Sequence, residues 1–171
     1  TPGKLDGVFI IEPKVFADNR GFFYESYNKR DLENSGIFID FIQDNHSRSI
    51  KNTLRGLHYQ VNTPQDKIVR VVAGEVWDVA VDIRRGSPHF GEHVCVTLDG
   101  EQHKQLYIPP GFAHGFLALT DNVSFIYKCT DYYAPAHEHS ICWNDTDLAI
   151  DWPLLKGTLP TLSLKDSAAT P

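Results

Sequence analysis

Polar and apolar positions in this chain alternate in short bursts of period two and rarely fall into the three-and-four spacing of an amphipathic helix. Ten segments read as strands: GVFIIEP (7–13), GFFYESY (21–27), FIDFIQDN (38–45), TLRGLHYQ (53–60), KIVRVV (67–72), EVWDVAVDIR (75–84), HVCVTL (93–98), KQLYIP (104–109), GFLAL (115–119) and SFIYKCT (124–130). Turn-forming stretches such as AGE (73–75) and LDGEQ (98–102) separate them. Only KRDLENSG (29–36) has helical character, with Asn28 as N-cap and Gly36 as C-cap. This pattern predicts an all-β fold, a sandwich or jelly-roll barrel with short helical segments.

Alternation also assigns faces. In EVWDVAVDIR, Trp77, Val79, Val81 and Ile83 share one side, and Val76, Asp78, Ala80 and Asp82 the other. Two acids among small apolar groups fit either a polar cavity inside the barrel or a solvated outer face. In TLRGLHYQ, strict alternation sends Arg55 and His58 to opposite faces, unless Gly56 forms a bulge that re-aims one of them. A re-aimed pair would face a ligand, whereas an unaltered strand would leave His58 as an ordinary core histidine.

Composition narrows the classes of function. The chain has 171 residues, enough for one domain (1–171) that buries about two-thirds of its unfolded surface. A formal net charge of -6 argues against nucleic acid, whose phosphates need clustered Lys and Arg, yet leaves room for a local basic pocket. Cys95, Cys129 and Cys142 are odd in number and widely spaced, which suits a reducing cytoplasm rather than a disulfide framework. No segment approaches the ~20 apolar residues of a membrane span, and no charged-then-apolar leader opens the chain.

The stretch IPPGFAHGF (108–116) places Pro109, Gly111 and His114 in a P-x-G-x-x-H pattern that would present a histidine on a tight turn at a barrel mouth. It resembles the second motif of the cupin superfamily, a double-stranded β-helix fold. Metal-binding cupins draw further ligands from a His-x-His and a nearby Glu. Here HYQVNTPQ (58–65) has Gln60 in place of the second histidine and no Glu, so no metal is expected.

Longer stretches carry a more specific resemblance. KVFADNRGFFYESY, FIQDNHSRS, LRGLHYQ, QDKIVRVVAGEVWDVAVDIRRGSPHFG, QLYIPPGFAHGF, YKCTDYYAP, WNDTDLAIDWP and LSLKD, in that order from Lys14 to Asp166, resemble the dTDP-4-dehydrorhamnose 3,5-epimerase family. The resemblance implies a cupin-like jelly roll without metal or cofactor. It also implies a cytoplasmic homodimer that inverts the two carbons flanking the 4-keto group of a dTDP-4-keto-6-deoxyhexose, towards L-rhamnose and cell-surface polysaccharide. An N-terminal arm, about residues 1–30, would reach the partner subunit.

The implied chemistry needs a base on one face of an acidified C–H, an acid on the other and a positive group at the carbonyl oxygen. By motif, His58 matches the base, Asp166 its orienting carboxylate, Tyr127 the opposite-face acid and Lys67 the cation. Arg20, Glu25, Gln43, Asn45, Arg55, Lys67, His114, Glu138 and Lys165 match positions that contact the nucleotide sugar, and Tyr133 matches the aromatic that stacks on thymine. Asn19, His89, His137 and His139 depart from the pattern without removing any of these groups. Three other readings remain open: an epimerase acting at one carbon only, a metal-dependent cupin enzyme, and a jelly roll that binds sugar nucleotides without changing them.

Overall fold

The computed structural model describes residues 5–171, so the first four positions of the expected arm lie outside the described residues. One five-stranded antiparallel sheet runs β1 (Phe9–Ile11), β9 (Gln105–Ile108), β6 (Lys67–Ala73), β11 (Val123–Cys129), β4 (Gln43–Ser49). The other runs β12 (Glu138–Ser140), β5 (Leu54–Gln60), β10 (Phe112–Ala118), β7 (Glu75–Asp82), β8 (His93–Asp99). From β4 to β12 the chain changes sheet at nearly every turn, which winds it into the jelly roll. A hairpin of β2 (Phe16–Asp18) and β3 (Gly21–Phe23) pairs only with itself. The helices are short: α1 (Lys29–Asn34) and α2 (Leu164–Ser167).

Alternation accounts for three apolar layers. Between the sheets lie Val69, Val71, Val76, Ala80, Leu106, Phe116 and Phe125. On the outer side of β7, Val79 and Val81 pack under Trp77, Ile83 and the C-terminal segment, including Trp143, Ile150 and Trp152. The third layer, Leu32, Ile68 and Tyr107 with Ile37, Ile39 and Phe41, joins α1 to the outer side of β6 and β9. The two acids of β7 are therefore not a solvated face. Asp78 and Asp82 are both fully buried.

Several boundaries move for identifiable reasons. The apolar stretch 38–45 is not the strand. Ile37, Ile39 and Phe41 pack against α1 without a ladder, and pairing with β11 begins only at Gln43. β4 itself, QDNHSRS, has no large apolar side chain, so its inward positions escape a hydrophobicity criterion. β2, β12 and α2 are too short to register as periodic runs. Asn28 does cap α1, its side chain accepting from the amide of Arg30, while the C-cap is Ser35, with Gly36 following at φ +86°. His114 lies inside β10, not on a turn; Gly111, at φ +85°, makes the turn that precedes it.

β5 carries the bulge that its glycine suggested. His114 of β10 pairs with His58, but Phe116, two residues on, pairs with Arg55, three residues back, so β5 holds one extra residue. Gly56, at φ +128°, sits at the shift. A Cβ there would lie 2.5 Å from the Gly115 Cα and 2.8 Å from the His114 carbonyl oxygen. Backbone atoms cannot yield as a side chain would. Gly56→Ala should therefore cost roughly 2–4 kcal/mol in urea unfolding, with loss of the β5–β10 register. A cost under about 0.5 kcal/mol would mean that the bulge tolerates a side chain.

Candidate active site

Where β5 bulges, the space between the sheets opens into a cavity of about 380 Å³. Arg55 and His58 both line it, because the extra residue in β5 restores them to one side. Asn45 and Ser47 of β4, Lys67 of β6, His114 of β10 and Tyr127 of β11 also face this space. The polar inward positions of β4 thus have their reason: they border a cavity rather than the apolar core.

His58 and Asp166 meet across 108 residues of sequence, with His58 Nε2 2.5 Å from Asp166 Oδ1. Asp166 is held in place by the start of α2. Ser163 caps that helix, accepting from the Asp166 amide at 3.0 Å and donating to Asp166 Oδ2 at 2.9 Å. The sequence SLKD carries this reciprocal cap as an S-x-x-D motif, a signal for α2 that hydropathy does not register. Burial opposes ionisation of Asp166. The hydrogen bond and charge of His58, aided by Ser163 and Lys165, outweigh it and hold the carboxyl below the usual carboxylate range. An ionised Asp166 accepts from Nε2–H, which leaves Nδ1 as the nitrogen able to take up a proton.

Two further groups are tuned by burial. The Tyr127 phenol is pushed up to about 12, first by desolvation and then by the thiol and carboxyl neighbours Cys129 and Glu138. Lys67 is displaced downward from the ordinary lysine value, because its ammonium is enclosed, with Cys129, Glu138 and Asp78 only partly compensating. Tyr127 therefore stays a neutral proton donor throughout the physiological range. Lys67 surrenders its proton more readily than a surface lysine.

His114 Nε2 lies 2.9 Å from both carboxylate oxygens of Asp78. Asp82 turns away from the cavity. It binds Arg84 and Ser87 in the following turn, and those bonds prevail over desolvation to bring it to about 2. Only one of the two inward acids therefore serves the site. Arg55 donates to Ser49 Oγ at 3.1 Å, which fixes its stem at the cavity edge.

At the opening, Tyr133 and Glu138 line the cavity, and the Tyr133 hydroxyl donates to Glu138 Oε2 at 2.7 Å. Lys165 does not line it but forms an ion pair with Glu138. Gln43 stands behind the wall, donating to Asn45 Oδ1 at 3.1 Å. Arg20 and Glu25 are not brought to the cavity within one subunit. The β2–β3 hairpin carries Arg20 into solvent, where it pairs with Asp18, and Glu25 accepts from Asn28 beside α1. Ser163, Ser47 and Gln60 belong to the site or its support and were not picked out for it by sequence reasoning, whereas Asp78, one of the two acids for which a polar cavity was one reading, supports it through His114.

The sequence model of the dTDP-4-dehydrorhamnose 3,5-epimerase family matches residues 2–171. The chain belongs to that family. The family's member from Pseudomonas aeruginosa is 55% identical over 163 residues, 95% of this chain and 89% of the relative. The Salmonella typhimurium epimerase is 55% identical over 167 residues, 96% of this chain and 90% of its own length. A crystal structure of the Legionella pneumophila dTDP-6-deoxy-D-glucose-3,5-epimerase in complex with dTDP-4-keto-L-rhamnose superposes with a TM-score of 0.94 at 55% identity, covering 98% of this chain and 88% of that one. The jelly roll described above is thus the fold of this epimerase family.

A depressed native pKa makes ionised Asp166 stabilising above the ordinary value of 3.8, and that contribution disappears as pH falls through the lower native value. In Asp166→Asn, unfolding free energy should fall less steeply below about pH 4 than in wild type. At pH 7 the variant should be about 1–3 kcal/mol less stable. Urea unfolding across a pH series checks both, and parallel curves for the two proteins would count against the His58–Asp166 bond.

Proposed function

We propose that this chain epimerises C3 and C5 of dTDP-4-dehydro-6-deoxy-D-glucose to give dTDP-4-dehydro-L-rhamnose, using His58 as base and Tyr127 as opposite-face acid. The carrying observation is that the two groups come from opposing sheets, His58 from β5 and Tyr127 from β11, and line one cavity. A ketosugar bound between them presents one face of its C–H carbons to each.

A hydrogen beside a ketone can leave as a proton because the electron pair delocalises onto the carbonyl oxygen as an enolate. His58 takes that proton, and Asp166 steadies the imidazolium. Lys67, as an ammonium, stabilises the enolate oxygen. Tyr127 returns a proton to the opposite face, its high pKa keeping it loaded until the carbanion forms. Once solvent has taken the proton from the His58 imidazolium and returned one to the Tyr127 phenolate, the same steps at the second carbon complete the change.

Arg55 supplies a guanidinium fork for the pyrophosphate, with Lys165 adding charge at the opening. Asn45, Gln43, His114 and Glu138 bound the sugar, and Tyr133 offers a ring to the thymine. The chain works as one jelly-roll domain in a cytoplasmic homodimer. Its hairpin supports that assembly: Phe16, Phe22 and Phe23 are more than half exposed within a single subunit. A partner that covers them would receive Arg20 and Glu25 at its own cavity. The product feeds L-rhamnose synthesis for cell-surface polysaccharide.

Proton NMR of the 4-keto sugar nucleotide in D2O should show exchange at two carbons with wild type. With His58→Ala the rate should fall by about 10²–10⁴. Undiminished exchange in that variant would remove His58 from the mechanism. Tyr127→Phe should fold normally yet lose a comparable factor in product formation.

The alkaline limb of kcat/KM should fall below the ordinary lysine value of 10.5, because activity needs the Lys67 ammonium and burial lowers its pKa. Lys67→Arg should move that limb upward. An unmoved limb would assign the titration to another group.

A further inference from the structure

Gln60, which stands where the cupin motif has its second histidine, has its side-chain amide bonded to Thr63 and to the segment that carries Tyr133. The segment 131–134, which carries Tyr133, leaves β11 without joining any ladder. Its tyrosines do not anchor it by burial, since Tyr132 and Tyr133 are 66% and 54% exposed. One backbone group on each of its four residues is instead bound by a glutamine side chain. Gln65 Nε2 donates to the Asp131 carbonyl at 2.6 Å, and Gln60 Nε2 donates to that of Tyr132 at 3.4 Å. Gln43 Oε1 accepts from the Tyr133 amide at 3.0 Å, and Gln60 Oε1 accepts from that of Ala134 at 2.9 Å. Gln60 Nε2 is itself oriented by Thr63, donating to its carbonyl at 3.0 Å and its hydroxyl at 3.2 Å.

We propose that Gln60 and Gln65 are positioning residues that hold the 131–134 backbone so that the Tyr133 ring is preset for a nucleobase, and thereby set nucleotide affinity rather than proton-transfer rate. The amide side chain suits the task because it offers a donor and an acceptor at once, and Gln60 uses both on one segment. A ring already fixed in its stacking position loses little freedom when the base arrives, which raises affinity without a new contact. The inference rests on the reading of Tyr133 as the residue that stacks on the base.

Calorimetric titration of dTDP into wild type, Gln60→Leu, Tyr133→Ala and the double variant tests it. Gln60→Leu keeps volume but removes the bonds, and should weaken dTDP binding about tenfold. In the Tyr133→Ala background the same change should alter Kd by about twofold or less, because the ring it positions is gone. Steady-state assays should show KM for the sugar nucleotide rising with kcat nearly unchanged. Equal losses in both backgrounds, or a fall in kcat at constant KM, would overturn the proposal while leaving the substrate reading intact. A wild type that does not bind dTDP would overturn both. Should Gln60→Leu fail to fold, Gln65→Leu takes its place in the same cycle, with the same two outcomes deciding.

Discussion

Where β5 crosses β10, two glycines pass so closely that neither can carry a side chain: a Cβ on Gly56 would meet the Gly115 Cα at 2.5 Å, and one on Gly115 would meet the Arg55 carbonyl oxygen at 2.7 Å. This contact accommodates the extra residue of β5, and the extra residue turns Arg55 and His58 to the same side. An ordinary ladder would leave one of them in the outer apolar layer among Val79, Leu117 and Trp152. The polar cavity and the presence of both His58 and Arg55 in its wall depend on that local departure from period two.

Enclosure then acts on ionisable groups that line the cavity, with opposite results at Tyr127 and Lys67. Desolvation favours neutral forms, so it raises the Tyr127 phenol and lowers the Lys67 ammonium. Asp166 escapes the same trend because the hydrogen bond and charge of His58, with the Ser163 hydroxyl and the charge of Lys165, outweigh its desolvation. A site that must remove a proton on one face and deliver one on the other is served by such divergence.

The segments outside the sheets deliver what the sheets lack. The C-terminal region first covers the outer layer of β7 through Trp143, Ile150 and Trp152, then returns to place α2 against β5. That route brings Asp166 to His58. At the cavity mouth, glutamines replace ladder bonds for a segment that belongs to no sheet, so a loop acquires the fixity of a strand while keeping its side chains exposed.

Strand-rich architecture, the position of most strands from β5 to β11, and the division of β7 into two faces were legible in the sequence, because each reflects local periodicity and steric preference. His58 and Arg55 drew attention by their place around Gly56 and Lys67 and Tyr127 by the family resemblance, and all four line the cavity. Tertiary structure alone decided that β4 would be a polar strand lining a cavity and that the apolar stretch before it would be a cover for α1. It likewise decided that of Asp78 and Asp82 only one would serve the site. It also left Arg20 and Glu25 away from the cavity, and closed the 108 residues between His58 and Asp166, a pairing that the family resemblance implied and no local pattern did. Period and propensity report how a residue relates to its near neighbours; which distant side chains share a buried space depends on how the sheets close, and no local pattern encodes that.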